Sequence, residues 1–409
     1  MPLKQLVNKL NLQKKATSAE GYNLLANLFR IAGKSAWQVF IPYIQSIASF
    51  SFYSIVQNVY SVLIQTTNLG TKQVILRTAT AKVPLLGFFM HALLVAIPQV
   101  LIAAFLFKLN LLYIGLVLNI VLLTNLYFNY LSRLKGLKLF KEGALVEFVG
   151  MVLFFVGVLF LFIWGGEVEK VLIIEGLMLA VVVAFLLYKL AKIDGNSLLT
   201  VKGLSAYFKG IYQVGLIGLI ETICWRFIPI YYLTKLTNQE YSVGVFNLCL
   251  LLSNVFVLIP QSLLESWIPS IATLDWRNVA TKSRLQQLTK QYYQALFVIT
   301  LLATAAVFIA LNSIYIKYYS WLALIMIFTV ARIILSFPDI NNAVLYAKGK
   351  ENLLLLPNIV SAFILWVTTF YAAKYYGLSG IFVAFLLSRS LLCFQILWAY
   401  NRFNKFAIS

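Results

Sequence analysis

Lys82–Lys141 reads KVPLLGFFMHALLVAIPQVLIAAFLFKLNLLYIGLVLNIVLLTNLYFNYLSRLKGLKLFK. It holds two apolar runs, each near the ~20 residues a helix needs to cross ~30 Å of hydrocarbon. One cation, Lys108, stands at the turn between them. Cations cluster at both feet: Lys72, Arg77 and Lys82 before the first run, and Arg133, Lys135, Lys138 and Lys141 after the second. Positive charge gathers on the cytoplasmic side of membrane helices, so this stretch is a transmembrane hairpin with its turn outside.

The pattern repeats outward in both directions. Lys4, Lys9, Lys14 and Lys15 open the chain; Lys189, Lys192, Lys202 and Lys209 follow the sixth apolar run. Arg277, Lys282, Arg284 and Lys290 form the next cluster, then Lys348 with Lys350, then Arg402 with Lys405. The alternate gaps hold only Lys108, Lys170, Lys235, Lys317 and Lys374. Twelve spans with both termini cytoplasmic satisfy this alternation. They are expected at 22–45, 51–70, 83–107, 109–131, 145–164, 171–189, 209–233, 243–264, 292–311, 319–343, 353–373 and 378–400. The expected fold is therefore an all-α polytopic membrane protein, with twelve transmembrane helices in two six-helix lobes around a central cavity. Residues 1–192 form the first lobe with its cytoplasmic arm. Residues 193–208, with the turn signal Asp194-Gly195-Asn196-Ser197, form a linker. Residues 209–409 form the second lobe. A polar, amphipathic stretch runs from Asp275 to Gln291.

Composition agrees. The 409 residues are 61% hydrophobic and 11% charged, against ~25% charged in a soluble domain. A net charge of +20 is explained by basic loops meeting an anionic leaflet, which leaves no need for nucleic acid as a partner. The arm from Pro2 to Glu20 is basic and polar, with no apolar segment of signal-peptide type. Cys224, Cys249 and Cys393 fall inside apolar spans and read as core residues, giving neither a disulfide framework nor a metal site. His91 is the lone histidine, too little for zinc or a triad, and there is no P-loop signature. No cofactor is expected beyond a coupling proton or sodium ion.

Several spans carry polar stripes. In the first, Asn23, Asn27, Arg30, Lys34, Gln38 and Gln45 recur at spacings of three, four and seven and share one face. An intramembrane Arg or Lys costs about 2.5–3.5 kcal/mol on insertion scales, so the stripe lines water or another helix. Alternatively, the span begins near Trp37 and leaves Arg30 and Lys34 among the headgroups. The second span repeats the pattern without charge: Ser54, Asn58, Ser61, Gln65 and Asn68. The eighth carries Asn247, Asn254, Gln261 and Glu265. Tyr53-Ser54-Ile55-Val56-Gln57-Asn58 and Tyr241-Ser242-Val243-Gly244-Val245-Phe246-Asn247 echo one another, an internal repeat of the kind common in transporters. These stripes line a cavity or join neighbouring helices.

The seventh span holds Glu221, Arg226 and Pro229, and the proline marks a bend. Glu221 is a candidate for ion coupling, with Asp339 as a second. Arg226 is a candidate anion ligand, structural pairing being the alternative. Arg332 and Asp339 lie seven apart and nearly eclipsed on the tenth span, so a structural ion pair is expected there. Arg389 has no acid within two turns of its own helix; it is interior or snorkels.

Taken together these segments resemble the Wzx-type polysaccharide flippases of the multidrug/oligosaccharidyl-lipid/polysaccharide exporter superfamily. The matching segments are Phe50-Ser51-Phe52-Tyr53-Ser54-Ile55-Val56, Asn68-Leu69-Gly70 with Ile75-Leu76-Arg77, and Tyr241-Ser242-Val243. Ile268-Pro269-Ser270, Leu345-Tyr346-Ala347-Lys348-Gly349-Lys350 and Tyr376-Gly377-Leu378-Ser379-Gly380-Ile381 complete the set. Trp225-Arg226-Phe227 departs from the family, which has an acidic residue beside the arginine. The resemblance implies a non-enzymatic carrier in a bacterial cytoplasmic (inner) membrane. Its cargo would be polyprenyl-pyrophosphate-linked oligosaccharide for O-antigen or another surface polymer, moved to the periplasmic leaflet by alternating access. Membrane lipids, a polysaccharide polymerase and a chain-length regulator are the other implied partners. Arg30, Lys34, Arg226 and Arg389 are then expected to receive the pyrophosphate, and Asn58, Asn247 and Asn254 the sugar. A drug/cation antiporter of the same superfamily is the first alternative. A membrane polymerase or glycosyltransferase is the second, although such enzymes need larger outer loops than this chain has.

Overall fold

The computed structural model describes residues 19–68, 71, 75, 84–107, 109–137, 139–198, 215–216, 218–220, 222–236, 241–272, 279–348, 350 and 352–408. Every regular element among them is helical. In chain order these are α1 (Ala19–Ile44), α2 (Ile47–Asn68), α3 (Leu85–Phe107), α4 (Leu111–Gly136), α5 (Phe140–Trp164) and α6 (Val168–Leu198). A π-turn (Ile223–Phe227) leads into α7 (Ile228–Leu236), followed by α8 (Ser242–Ala272) and α9 (Val279–Ser313). A 3₁₀ segment (Ile316–Trp321) leads into α10 (Leu322–Ile334), then α11 (Asp339–Ala347) and α12 (Asn352–Ile408).

Nine helices among the described residues are long and apolar enough to cross a membrane. The last, Asn352–Phe403, holds two such lengths, because α12 breaks at Gly377 (φ 57°, ψ −135°). Only glycine takes that backbone without strain. α1, with its polar stripe, is not among the nine.

Three boundaries depart from expectation. The Asp194-Gly195-Asn196-Ser197 signal does not end a helix; α6 continues to Leu198. A helix already nucleated adds a residue at little cost, so a few weak formers at its end are carried along. The rest of the expected linker, with Glu221, lies outside the described residues. The polar stretch after Asp275 joins the ninth span, since α9 is continuous from Val279. The tenth span is split by a turn at 335–338 into α10 and α11, where Pro338 cannot donate to the ladder.

The chain divides into two compact units: residues 1–37, 63–165 and 169–215, and residues 38–62, 166–168 and 216–409. In the first, α3 and α4 pack as a hairpin. Asn110 starts α4 by accepting from the Tyr113 N–H at 3.0 Å, which satisfies one of the orphan donors of a helix start. The core gathers Leu85, Phe88, Leu131, Leu134, Val146, Val183 and Leu186. α1 meets α5 along Phe29, Gly33 and Trp37, whose rings make edge contacts with Phe148 and Phe154 at 5.3 and 5.9 Å. A Cβ on Gly33 would lie 2.9 Å from the Met151 Cα. In the second unit, Val257, Leu264, Tyr292, Leu296, Ile333 and Ile340 form the core among α8, α9, α10 and α11. Phe246, Phe328, Phe382 and Phe385 form an aromatic cluster with centroids 4.6–6.3 Å apart.

Gly33→Val is expected to force α1 off α5 and cost about 1–3 kcal/mol, the usual range for overpacking. Gly115→Ala, with nothing within 4 Å of the added carbon, should be neutral or stabilising. Thermal unfolding of the two detergent-solubilised variants beside wild type checks this, and equal melting temperatures would refute the seam.

Candidate functional site

In the second unit, the starts of α2 and α8 meet. The Gly244 N–H donates to Ser51 Oγ at 3.1 Å, and a Cβ on Gly244 would lie 2.6 Å from that oxygen. Asn247 Nδ2 donates to Ser54 Oγ at 2.9 Å and to Gln57 Oε1 at 3.1 Å. Asn58 Nδ2 turns back onto the Ser54 carbonyl at 2.7 Å. The two echoing segments thus hydrogen-bond to each other, and Asn58 and Asn247, both buried, satisfy protein groups.

Beside this junction the end of α1 is fastened to the 3₁₀ segment. Lys317 Nζ donates to the Tyr43 carbonyl at 3.3 Å and to the Gln45 carbonyl, and the Tyr315 hydroxyl donates to the Val39 carbonyl. A cation at a helix C-terminus satisfies carbonyls that have no intrahelical partner and complements the dipole. Burial raises the Tyr315 hydroxyl above the ordinary tyrosine value, so it stays a donor across the physiological range.

Deeper in the unit lie the charges. Arg332 donates to Ser253 Oγ and Asn254 Oδ1, both at 2.7 Å, and to the Leu250 carbonyl at 3.2 Å. Asp339 meets Arg389, with 3.9 Å between Oδ1 and Nη2. Arg332, the partner expected for Asp339, acts on the same carboxylate electrostatically. The break at Pro338 turns Asp339 into the first residue of α11, away from the register it would share with Arg332 on a continuous helix. There the helix dipole favours its charge. Arg389 is interior and also lies over the Trp225 ring, 5.6 Å from its centroid. Arg226 sits in the π-turn at Ile223–Phe227, where the Ile228 N–H reaches back five residues to the Ile223 carbonyl. The expected bend is thus a π-turn just before Pro229, which relieves the clash of the proline ring with the preceding turn.

The first unit holds the part of the α1 stripe that precedes Gln38. Asn27 is fully buried, with Lys135 Nζ 3.5 Å from its Oδ1. Lys34 lies over the Phe128 ring at 5.5 Å. Arg30 acts electrostatically on the Tyr127 hydroxyl, which donates to Glu147 Oε2 at 2.5 Å. Within this unit Asn27, Arg30 and Lys34 therefore each meet a residue of α4. α2 binds the same helix: Asn125 Nδ2 donates to Thr67 Oγ1 at 2.6 Å, and Thr71 bridges Asn68 and Asn129 at 2.9 Å each.

Sequence reasoning passed over Glu147 and Glu175, which are 2% and 9% exposed. Both are acids inside apolar spans, and that alone is a signal for function. The cysteines are reduced and buried, and Cys393 Sγ lies 3.0 Å from the Leu335 carbonyl. Among the described residues, no group of His, Cys, Asp and Glu is placed to hold a metal.

Removing Arg389 takes from the buried Asp339 carboxylate its ion-pair partner at 3.9 Å, and breaking a buried pair typically costs about 3–5 kcal/mol. Arg389→Leu should therefore lower folded yield sharply, with Asp339→Asn in the same chain restoring much of it. No rescue in the double variant would show that the two residues act separately.

No protein-family profile and no curated protein sequence matches the chain. Solved structures do. The chain is similar to a mutant MATE transporter of Vibrio cholerae, at 15% identity and TM-score 0.62, over 96% of this chain and 97% of that one. It is also similar to a multidrug resistance MATE family transporter of the MOP superfamily in its outward-facing conformation (13% identity, TM-score 0.62, 96% and 97% coverage). An inward-facing conformation of such a transporter matches at 15% identity and TM-score 0.59, over 94% of each chain. At these identities the likeness defines architecture: the chain has a MATE-like, all-helical membrane fold.

Proposed function

We propose that this chain is a secondary transporter that works by alternating access, and not an enzyme. The observation that carries the proposal is the likeness over nearly the full length of both chains to a fold solved in outward- and inward-facing forms. The twelve-span, two-lobe arrangement (1–192 and 209–409) in an inner membrane with cytoplasmic termini belongs to the same proposal.

For the cargo, the comparisons back a drug or cation antiporter better than a lipid flippase, since the similar solved proteins are MATE and multidrug resistance MATE transporters. Buried intramembrane acids support that reading. Glu147, Glu175 and Asp339 are each under 10% exposed, and carboxylates held in hydrocarbon are suited to exchange a proton or metal cation for a cationic substrate. Asp339 and Glu221 are the coupling candidates.

The second reading, export of polyprenyl-pyrophosphate-linked oligosaccharide, rests on the surplus of intramembrane cations. A pyrophosphate and a glycan cannot cross hydrocarbon unpartnered, and arginine binds phosphate through paired donors. In this reading Arg30, Lys34, Arg226 and Arg389 receive the headgroup and Asn58, Asn247 and Asn254 the sugar. The described contacts temper it, because Arg389 faces Asp339 and all three asparagines bond within the protein.

Proteoliposomes separate the readings. Under an imposed proton or sodium gradient, a drug antiporter should move ethidium in proportion to the gradient and leave a fluorescent short-chain polyprenyl diphosphate oligosaccharide in place. A flippase should do the reverse, and Arg226→Ala should then abolish translocation at unchanged protein abundance. Neither cargo moving, with protein folded and correctly inserted, would count against transport.

A further inference from the structure

We infer that the second unit carries a binding groove for an acidic phospholipid, formed where α9, α11 and the second arm of α12 come together. The groove measures about 770 Å³ and is open along one side.

Its polarity changes from end to end as a lipid's does. On α9, Gln286, Thr289 and Lys290 line one end, and Phe297, seven residues beyond Lys290, lines the other. Seven residues span about 10.5 Å of helix. On α12 the same gradient runs the opposite way along the chain, from Leu397 to Asn401. Tyr293 and Phe337 stack face to face between these ends, with centroids 4.3 Å apart and planes within 4°, and give the groove an aromatic floor. The polar end coincides with the expected membrane boundaries of both helices, residues 292 and 400. A molecule lying here has its head at the interface and its chain in hydrocarbon.

Charge selects the occupant. Lys290 and Arg284, about one and two-thirds turns apart on α9, are both exposed and make no ion pair among the described residues. Arg402 is exposed on α12, next to Asn401. Among the described residues, no acidic side chain lines the groove. A basic segment beside an anionic leaflet gains about 1 kcal/mol per cation near the surface. A zwitterionic lipid brings a choline into the same field and gains less. The aromatic floor and Leu397 fit an acyl chain, which a free phosphate would leave uncovered. The inference stands apart from the identity of the cargo.

The test is native mass spectrometry of the full chain released from nanodiscs of phosphatidylcholine mixed equally with phosphatidylglycerol. Wild type should retain phosphatidylglycerol in preference to phosphatidylcholine. Lys290→Ala should reduce that retention about fivefold, the factor for one interfacial charge, and Arg284→Ala with Lys290→Ala should reduce it further. Lys235→Ala, an exposed cation on α7 away from the groove, should leave it unchanged. Phe297→Ser, which keeps the charge and removes the apolar end, should shorten retention of both lipids. Equal retention of the two lipids by wild type would overturn the proposal, and so would equal losses for Lys290→Ala and Lys235→Ala. Retention of inorganic phosphate in place of lipid would overturn it as well. A fall in melting temperature of Lys290→Ala in lipid-free detergent would reassign the residue to folding.

Discussion

Within hydrocarbon no water is available to complete a hydrogen bond, so each polar group carried into a span must find its partner inside the protein. Most of the polar placement in this chain follows from that. Arg332 reaches a carbonyl, a hydroxyl and an amide on α8. Threonines and serines bond back to carbonyls of their own helices, as Thr300 and Thr304 do on α9. The end of α1 is closed by a lysine and a tyrosine from another element.

The same constraint explains what sequence could and could not foresee. The membrane-length helices among the described residues were readable because length and apolarity are local quantities. The stripes on α1, α2 and α8 were readable as faces, since helical spacing places them. Their partners were not, because a face does not say which helix will meet it. Asn247 was singled out as a sugar ligand by residue type, whereas its partners Ser54 and Gln57 lie 193 and 190 residues away. That Arg389 also meets Asp339 was hidden for the same reason, since the two lie 50 residues apart. The turn at 335–338 makes Asp339 the first residue of α11, where Arg389 of α12 meets it. Glu147 needed no structure, only the observation that it is an acid in the fifth span.

The division into units adds something no linear reading gives. Residues 38–62 belong with residues 216–409, although the rest of α1 and α2 belongs with the first unit. The contacts responsible are the ones between α2 and α8 and between the end of α1 and the 3₁₀ segment. α1 is therefore divided between the units after Trp37, and α2 after Val62.

The π-turn at Ile223–Phe227 has a consequence for phase. One five-residue turn holds an extra residue relative to an α-helix, so everything after it is rotated by about 100° from where an uninterrupted helix would put it. Ile230 and Leu233 are buried after that rotation, at 2% and 1% exposure. The extra residue therefore behaves as an insertion that the core has since been built around. The segment should accept exchanges of side chain far more readily than a change in length: losing one residue would restore a regular ladder and turn that apolar stripe off its neighbours.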